Sequence, residues 1–260
     1  MGMVFGIQRE EEPSYTVLLD RTAATTGTTT SCTPYEIRRY GTRYAIETVF
    51  DDNERSSNNK DGTRSPFMKL AGYIGVLSDP QNESREGIAM TAPVAMQRQQ
   101  SGGKGGGGGG EKIAMTAPVA MHRTAAASSG GTRKMQFFLP SKYDSPEKIP
   151  TPTNPDVTVR EIPPAVGAVH RYSGTFSESK ARDKARALVD ALRADGLGGG
   201  HKLELGADEA MGAYQFWGYN PPFTIPTFRR NEVWIELSEE QVEALQKKRQ
   251  QEKQEEEEKQ

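Results

Sequence analysis

The apolar positions of this chain follow two periods. In Ile88 to Met96, Ile88, Met90, Val94 and Met96 alternate with Ala89, Thr91, Pro93 and Ala95. A period of two predicts a strand with one apolar face and one face of small residues, which would let something bulky approach. Pro93 inside the run points to an edge position, a bulge or a strand end. The chain writes Ala-Met-Thr-Ala-Pro-Val-Ala-Met twice, at Ala89–Met96 and Ala114–Met121, with a Gly-rich bridge, Ser101–Gly110, between the copies. The bridge reads as flexible. The repeat is too short to be a solenoid unit. If the sheet has one slot for this strand, the first copy is expected to fill it and the second to loop out or add at an edge.

Further strands are expected at Tyr15–Leu19, Tyr35–Tyr40, Tyr44–Phe50, Met135–Leu139, Val157–Ile162, Val166–Ser173, Ala213–Trp217 and Glu232–Leu237. A period of 3.6 appears twice. Phe67, Leu70, Ala71 and Ile74 share one helical face behind a Ser65-Pro66 start, and Gly75 can supply the left-handed stop. Ala181, Ala185, Leu188, Val189 and Leu192 form a longer stripe, with Thr175-Phe176-Ser177-Glu178 as a capping box and Gly196 as the end. From Glu239 onward only Val242 and Leu245 are apolar anchors. That tail is expected to be disordered, or helical with no face to bury. The order of elements is a doubled strand–helix–strand arrangement, an α+β design in which two helices cover a curved, mainly antiparallel sheet. The expected divisions are an N-terminal segment over 1–14, a domain over 15–238 with a flexible insert at 98–111, and the charged tail over 239–260.

Composition narrows the function classes. A formal net charge of −2 carries no nucleic-acid footprint. The single Cys32 excludes an internal disulfide framework and suits a reducing compartment. No apolar run approaches the roughly 20 residues that span a bilayer. The start lacks the pattern of a signal peptide, so the expected location is cytoplasmic.

Candidate chemistry is sparse. His122, His170 and His201 match no metal spacing. His170 shares a strand face with Val166, Ala168 and Tyr172 and reads as a core or surface histidine. Histidine and methionine are usual haem ligands. On that ground His122 and His170 are axial candidates, with Met90, Met96, Met115 and Met121 behind them, and no spacing selects among them. Nucleophile elbow, Walker loop, dinucleotide fingerprint and zincin pattern are all missing from the sequence, so no catalytic residue is assigned and an enzyme is not expected. The loop Tyr219–Arg230 is stiffened by three prolines and carries Phe223, Phe228, Arg229 and Arg230. It suits either a lid over a flat apolar ligand with carboxylates, or a rigid connection between strands.

Several motifs in order resemble the SOUL / haem-binding protein family, most closely its plant and algal members. They are Tyr35-Glu36-Ile37-Arg38-Arg39-Tyr40, Phe67 to Gly75, the doubled Ile-Ala-Met-Thr-Ala-Pro-Val (Ile88–Val94 and Ile113–Val119), Met135 to Tyr143, Ser173-Gly174, Tyr219-Asn220-Pro221-Pro222 and Arg230-Asn231-Glu232-Val233. The resemblance spans roughly Tyr15 to Leu237. It implies a distorted antiparallel β-barrel of about eight strands with two flanking helices, from two pseudo-symmetric halves. It also implies reversible binding of haem or another porphyrin in an apolar groove, with no metal-ion site of the protein's own and no fixed axial histidine. Carried over by position, the groove involves Phe67, Met68, Leu70, Ala71 and Ile74, with Pro221, Pro222 and Phe223 opposite. Arg64, Lys69, Arg229 and Arg230 are then the expected partners of the propionates. A plastid location occurs in the family, but Glu10-Glu11-Glu12 is unlike a transit peptide. The same doubled architecture resembles bacterial effector-binding modules, which keeps a small-ligand sensor as an alternative, beside a tetrapyrrole-modifying enzyme and a scaffold acting through its tail. The glycine insert, the Gly198–Gly200 loop and the tail depart from the family pattern.

Overall fold

The computed structural model describes residues 10–22, 33–51, 66–76, 79–98, 132–197, 214–220 and 224–258. The elements run β1 (Tyr15–Arg21), β2 (Tyr35–Tyr40), β3 (Arg43–Asp51), α1 (Pro66–Ile74), β4 (Val94–Arg98) and β5 (Thr132–Phe138). They continue with β6 (Thr158–Ile162), β7 (Ala165–Tyr172), α2 (Glu178–Leu192), β8 (Tyr214–Gly218), β9 (Asn231–Leu237) and α3 (Glu239–Glu258). The nine strands pair antiparallel in one sheet ordered β1-β2-β7-β9-β8-β4-β5-β3-β6. The α+β expectation holds, with nine strands and three helices among the described residues.

The order is a palindrome of two units. β3-α1-β4-β5 places its strands as β3-β5-β4, and β7-α2-β8-β9 places its strands as β7-β9-β8. The units meet where β4 pairs with β8. Each also lends its leading strand to the other: β2 pairs with β7, and β6 pairs with β3. Only Gly41 and Thr42 separate β2 from β3. Since these two strands stand six places apart in the sheet, the sheet must curl into a half-barrel for so short a link to reach.

Alternation along each strand then divides the residues between two faces. The outer face carries the helices. Tyr35, Ile37, Val166, Ala168, Phe216, Val233 and Ile235 meet Ala181, Ala185, Leu188, Val189 and Leu192 of α2 in one core cluster. Tyr44, Ile46 and Phe137 meet Leu70, Tyr73 and Ile74 of α1 in a second. The inner face is aromatic: Tyr40, Phe138, Trp217, Tyr219 and Trp234 pack with Ala45 and Ala95.

α1 stops where the sequence predicts. Gly75 takes φ 79°, its N–H donates to the Ala71 carbonyl, and Pro80 packs so close that a Cβ there would lie 2.5 Å from its ring. Three expectations change. β4 comes from the first copy of the repeat but begins only at Val94, after the Ala92–Pro93 bond, which is cis. Proline has no N–H for the ladder, so Ile88 to Pro93 pass beside the sheet instead. There the Thr91 hydroxyl donates to the Phe138 carbonyl and Ala92 N–H donates to Glu11 O. α2 begins at Glu178 with Ser177 as its N-cap, two residues after the Thr175 of the expected box, and Ser177 makes no side-chain cap bond.

The tail is a helix with a narrow face after all. Val242 and Leu245, one turn apart, are buried against the α2 cluster. Arg21 ties Glu252 of α3 (2.8 Å) to Asp195 (2.5 Å) at the end of α2, and Lys248 caps the Ala194 carbonyl. Two apolar residues at i, i+3 suffice to seat a helix when ion pairs hold its ends. The glycine insert and the second copy of the repeat lie outside the described residues, as do Ser65, Cys32 and Gly198–Gly200.

Candidate functional site

α1 is where the sequence points first. Its last two turns are sealed: Leu70 is 0% exposed, Ala71 1% and Ile74 3%. Tyr73 anchors the helix by donating to the Pro150 carbonyl (2.7 Å). The first turn differs. Pro66, Phe67, Met68 and Lys69 are only half-covered, and the Phe67 ring meets Phe137 edge-on at 5.3 Å. The Lys69 ammonium pairs with the exposed Asp156 carboxylate at 3.0 Å.

The inner face has a different chemistry. Glu232, fully buried, accepts from Arg38 Nη1 (3.0 Å), from the Tyr219 hydroxyl (2.6 Å) and from Arg230 Nε and Nη2 (3.0 and 2.9 Å). Arg230 also forks onto Glu12 (2.9 and 3.0 Å) and lies 3.7 Å over the Tyr219 ring. Burial, reinforced by the Glu232 charge, holds the Tyr219 hydroxyl well above its ordinary pKa. Arg229 donates to the Thr224 carbonyl (2.7 Å).

Beside this network a cavity of about 390 Å³ opens between β3, β5, β6, β8 and β9. Arg43, Glu47, Phe138, Arg160, Trp217 and Trp234 are on its walls. Sequence reasoning missed it: Trp217 and Trp234 fall inside expected strands with no role assigned, and Arg43 is not singled out. A signal existed in the strands themselves. Gln97, Gln136 and Gln215 recur at inward positions in register, with Gln97 opposite Gln215 and Gln136 opposite Ala95. Amides at a nominally buried face mark a wet or liganded lumen.

His170 lies elsewhere. It is buried under α2, stacked on Tyr172 (6.2 Å, 17°). Its Nδ1 sits 2.7 Å from the Pro34 carbonyl, and Nε2 is buried with no partner among the described residues. Since a carbonyl only accepts, Nδ1 carries the proton and Nε2 the lone pair. Burial lowers the pKa of the ring. The expected site residues thus fall in three places: α1, the α2 side of the sheet, and the β8–β9 end of the lumen. Arg64, His122, Met115, Met121, His201, Pro221, Pro222 and Phe223 lie outside the described residues. Among the described residues, no group of three or more His, Cys, Asp or Glu side chains is set to hold a metal ion. No described helix is long and apolar enough to cross a membrane.

The sequence profile of the SOUL heme-binding protein family matches residues 10–106 and 103–236. The chain belongs to that family. The two matches meet inside the Gly-rich bridge, so each contains one copy of the repeat. No curated protein matches this SOUL protein closely enough to count as a relative. Among solved structures it is similar to the C-terminal domain of EcmrR, at 9% identity and a TM-score of 0.42, covering 78% of this chain and 96% of that one. It is also similar to a hydrolase from Listeria innocua, at 7% identity and a TM-score of 0.41, covering 81% and 94%. SAV2435 bound to tetraphenylphosphonium is a third, at 9% identity and a TM-score of 0.33, covering 79% and 94%.

Proposed function

We propose that this SOUL protein binds haem or a related porphyrin reversibly, as a carrier, buffer or sensor, against the first turn of α1. Family membership supports tetrapyrrole binding in general. The observation that carries the location is the break in burial along one short helix. Leu70 and Ile74 are sealed into the core, while Phe67 and Met68 keep part of their apolar surface uncovered at the same end. Leu70, Ala71 and Ile74 then serve as the floor that holds these two side chains, and Pro221, Pro222 and Phe223 are the proposed opposite wall.

Among the described cations considered for the propionates, Lys69 is the best situated. Its partner Asp156 is exposed, so exchanging one carboxylate for another costs little. Arg230 is held by two buried or half-buried glutamates and has far more to lose. His170 does not fit as an axial ligand at this groove, since it belongs to the α2 core cluster's side of the sheet and its free nitrogen is buried. The residues therefore fit recognition of the macrocycle's shape and carboxylates.

Hemin and protoporphyrin IX titrated side by side test this. Similar affinities are expected, with Phe67→Ala weakening both about tenfold, the worth of much of one buried aromatic side chain. Absence of any saturable Soret change removes the reading. A strong preference for hemin would mean an axial bond to iron, and Met68, the groove residue with a ligating side chain, would be the first to substitute.

A further inference from the structure

We propose that the inner face of the half-barrel is a second ligand site, which takes a small planar carboxylate held by Arg43 over Trp217 and Trp234. The tetrapyrrole reading concerns the opposite face of the sheet, and neither depends on the other.

Arg43 lacks acceptors for part of its guanidinium among the described residues. Its Nε and Nη1 are buried and have no hydrogen-bond partner among the described residues. The arginines around it are all engaged: Arg38 and Arg230 pair with Glu232. Glu47, the buried acid of the cavity, is already taken by Gln136 (2.8 Å), Arg160 (3.4 Å) and Lys134 (3.7 Å). A buried guanidinium whose donors are left over is costly, and such groups ask for an acceptor that the protein itself does not supply. Rings hold it in place instead. Its Cζ lies 4.5 Å from the Tyr40 centroid and 5.3 Å from that of Phe138, which fixes the guanidinium while leaving its N–H edge unused. Burial pulls its pKa down to about 10, so it is still charged at neutral pH.

The rest of the wall suits a flat partner. Trp217 and Trp234 lie nearly parallel, 6.3 Å apart at 7°, and Trp234 Nε1 is a second buried donor without a partner among the described residues. The backbone makes room for these rings. A Cβ on Gly167 would lie 2.4 Å from the Trp234 ring, and the residue opposite Trp217 on β4 is Ala95. A volume of about 390 Å³ is at the small end of ligand pockets, roughly 300–1,000 Å³. Charge selects the head group. Arg43, Lys134 and Arg160 line the cavity together with Glu47 and Glu161, three cations to two acids, an excess of one. That matches a monoanion better than a phosphate. Glu47, the buried acid, would receive a cation only by giving up Gln136, Lys134 or Arg160. The planar fork of arginine pairs two N–H groups with one carboxylate.

trans-Cinnamate is a suitable probe, followed by calorimetry and by the fluorescence of the protein's two tryptophans, both of which line this cavity. Saturable binding is expected, with uncharged cinnamamide much weaker. Arg43→Met should lower cinnamate affinity about ten- to hundredfold, the worth of charged hydrogen bonds, while leaving the hemin titration unchanged. Arg43→Lys keeps the charge without the fork and should fall between. The proposal is overturned if cinnamate does not saturate, if cinnamamide binds equally well, if a cation such as phenyltrimethylammonium binds better, or if hemin displaces cinnamate competitively. Loss of hemin binding with cinnamate binding intact would sink only the tetrapyrrole reading.

Discussion

The two faces of this one sheet are built from the same strands and do opposite things. On the outer face, β2, β7, β8 and β9 present Tyr35, Ile37, Ala168, Phe216, Val233 and Ile235 to α2, and the contact is almost wholly apolar. On the inner face, the neighbouring positions of β2, β8 and β9 hold Arg38, Tyr40, Trp217, Glu232 and Trp234. The outer face can be apolar because amphipathic helices cover it. No described helix covers the inner face. It is closed by its own curvature, so large rings and paired charges fill it. Hydrophobic burial stabilises the outer face directly. The inner ion network gains little, because desolvating its charges offsets most of their attraction. The difference predicts that the outer face tolerates loss by degrees, while the inner one fails wherever a partner is removed from a charge.

The sharpest way to break that comparison is a pair of alanines. Glu232→Ala would strand Arg38 and Arg230 without their shared buried acceptor and is expected to cost about 3–5 kcal/mol. Leu188→Ala, a fully buried methyl-bearing side chain of α2, is expected to cost about 2–5 kcal/mol through transfer and cavity. Urea unfolding of both variants gives the numbers. The diagnostic arm is Glu232→Gln, which keeps the shape and removes the charge. If it matches wild type, the charges are incidental and the contrast between the faces is only one of size.

Much of this was legible in the chain. Period two in Tyr35–Tyr40 and period 3.6 in Ala181–Leu192 are local signals, and each became the element it predicted. The start of β4 was misread because alternation continues through Pro93 although its hydrogen bonding cannot. The docking of α3 was missed because Val242 and Leu245 make too small an apolar stripe to stand out from the charge around them. The inner cavity was harder still. Arg38, Arg39 and Arg43 look alike in sequence, yet Arg38 is paired in the lumen, Arg39 points outward to Glu239 (2.6 Å), and Arg43 is left between two rings. Those fates follow from how far β2 and β3 are carried apart around the sheet, which no local window contains.

His170 is a buried titratable residue on the outer face and offers a way to sharpen the contrast by pH. Burial opposes its protonation, the Lys184 charge adds to that, and the Pro34 carbonyl offsets part of it, so its folded pKa lies below the ordinary value of about 6.5. As pH falls through that value the unfolded chain takes up the proton first. Stability should therefore be full above about pH 6.5 and decline as pH drops toward the folded pKa. His170→Asn, which retains a donor for Pro34, should flatten this part of the stability profile. An unchanged slope between pH 7 and 5 would assign it to other groups.

The smallest expected effect is the most informative about the lumen. Arg43→Met removes a partly buried cation with no ion-pair partner among the described residues, and replaces it with a chain of similar reach that can still pack between Tyr40 and Phe138. The loss of the cation–π contacts, about 0.5–2 kcal/mol, opposes the gain from no longer burying an unpaired charge. The two nearly cancel, so the melting temperature should stay level or rise slightly, in contrast to the large loss expected for Glu232→Ala on β9, four places away in the sheet. A fall as large as that of Glu232→Ala would mean that Arg43 has an acceptor in the folded protein after all, and that it is a structural ion rather than one held for a ligand.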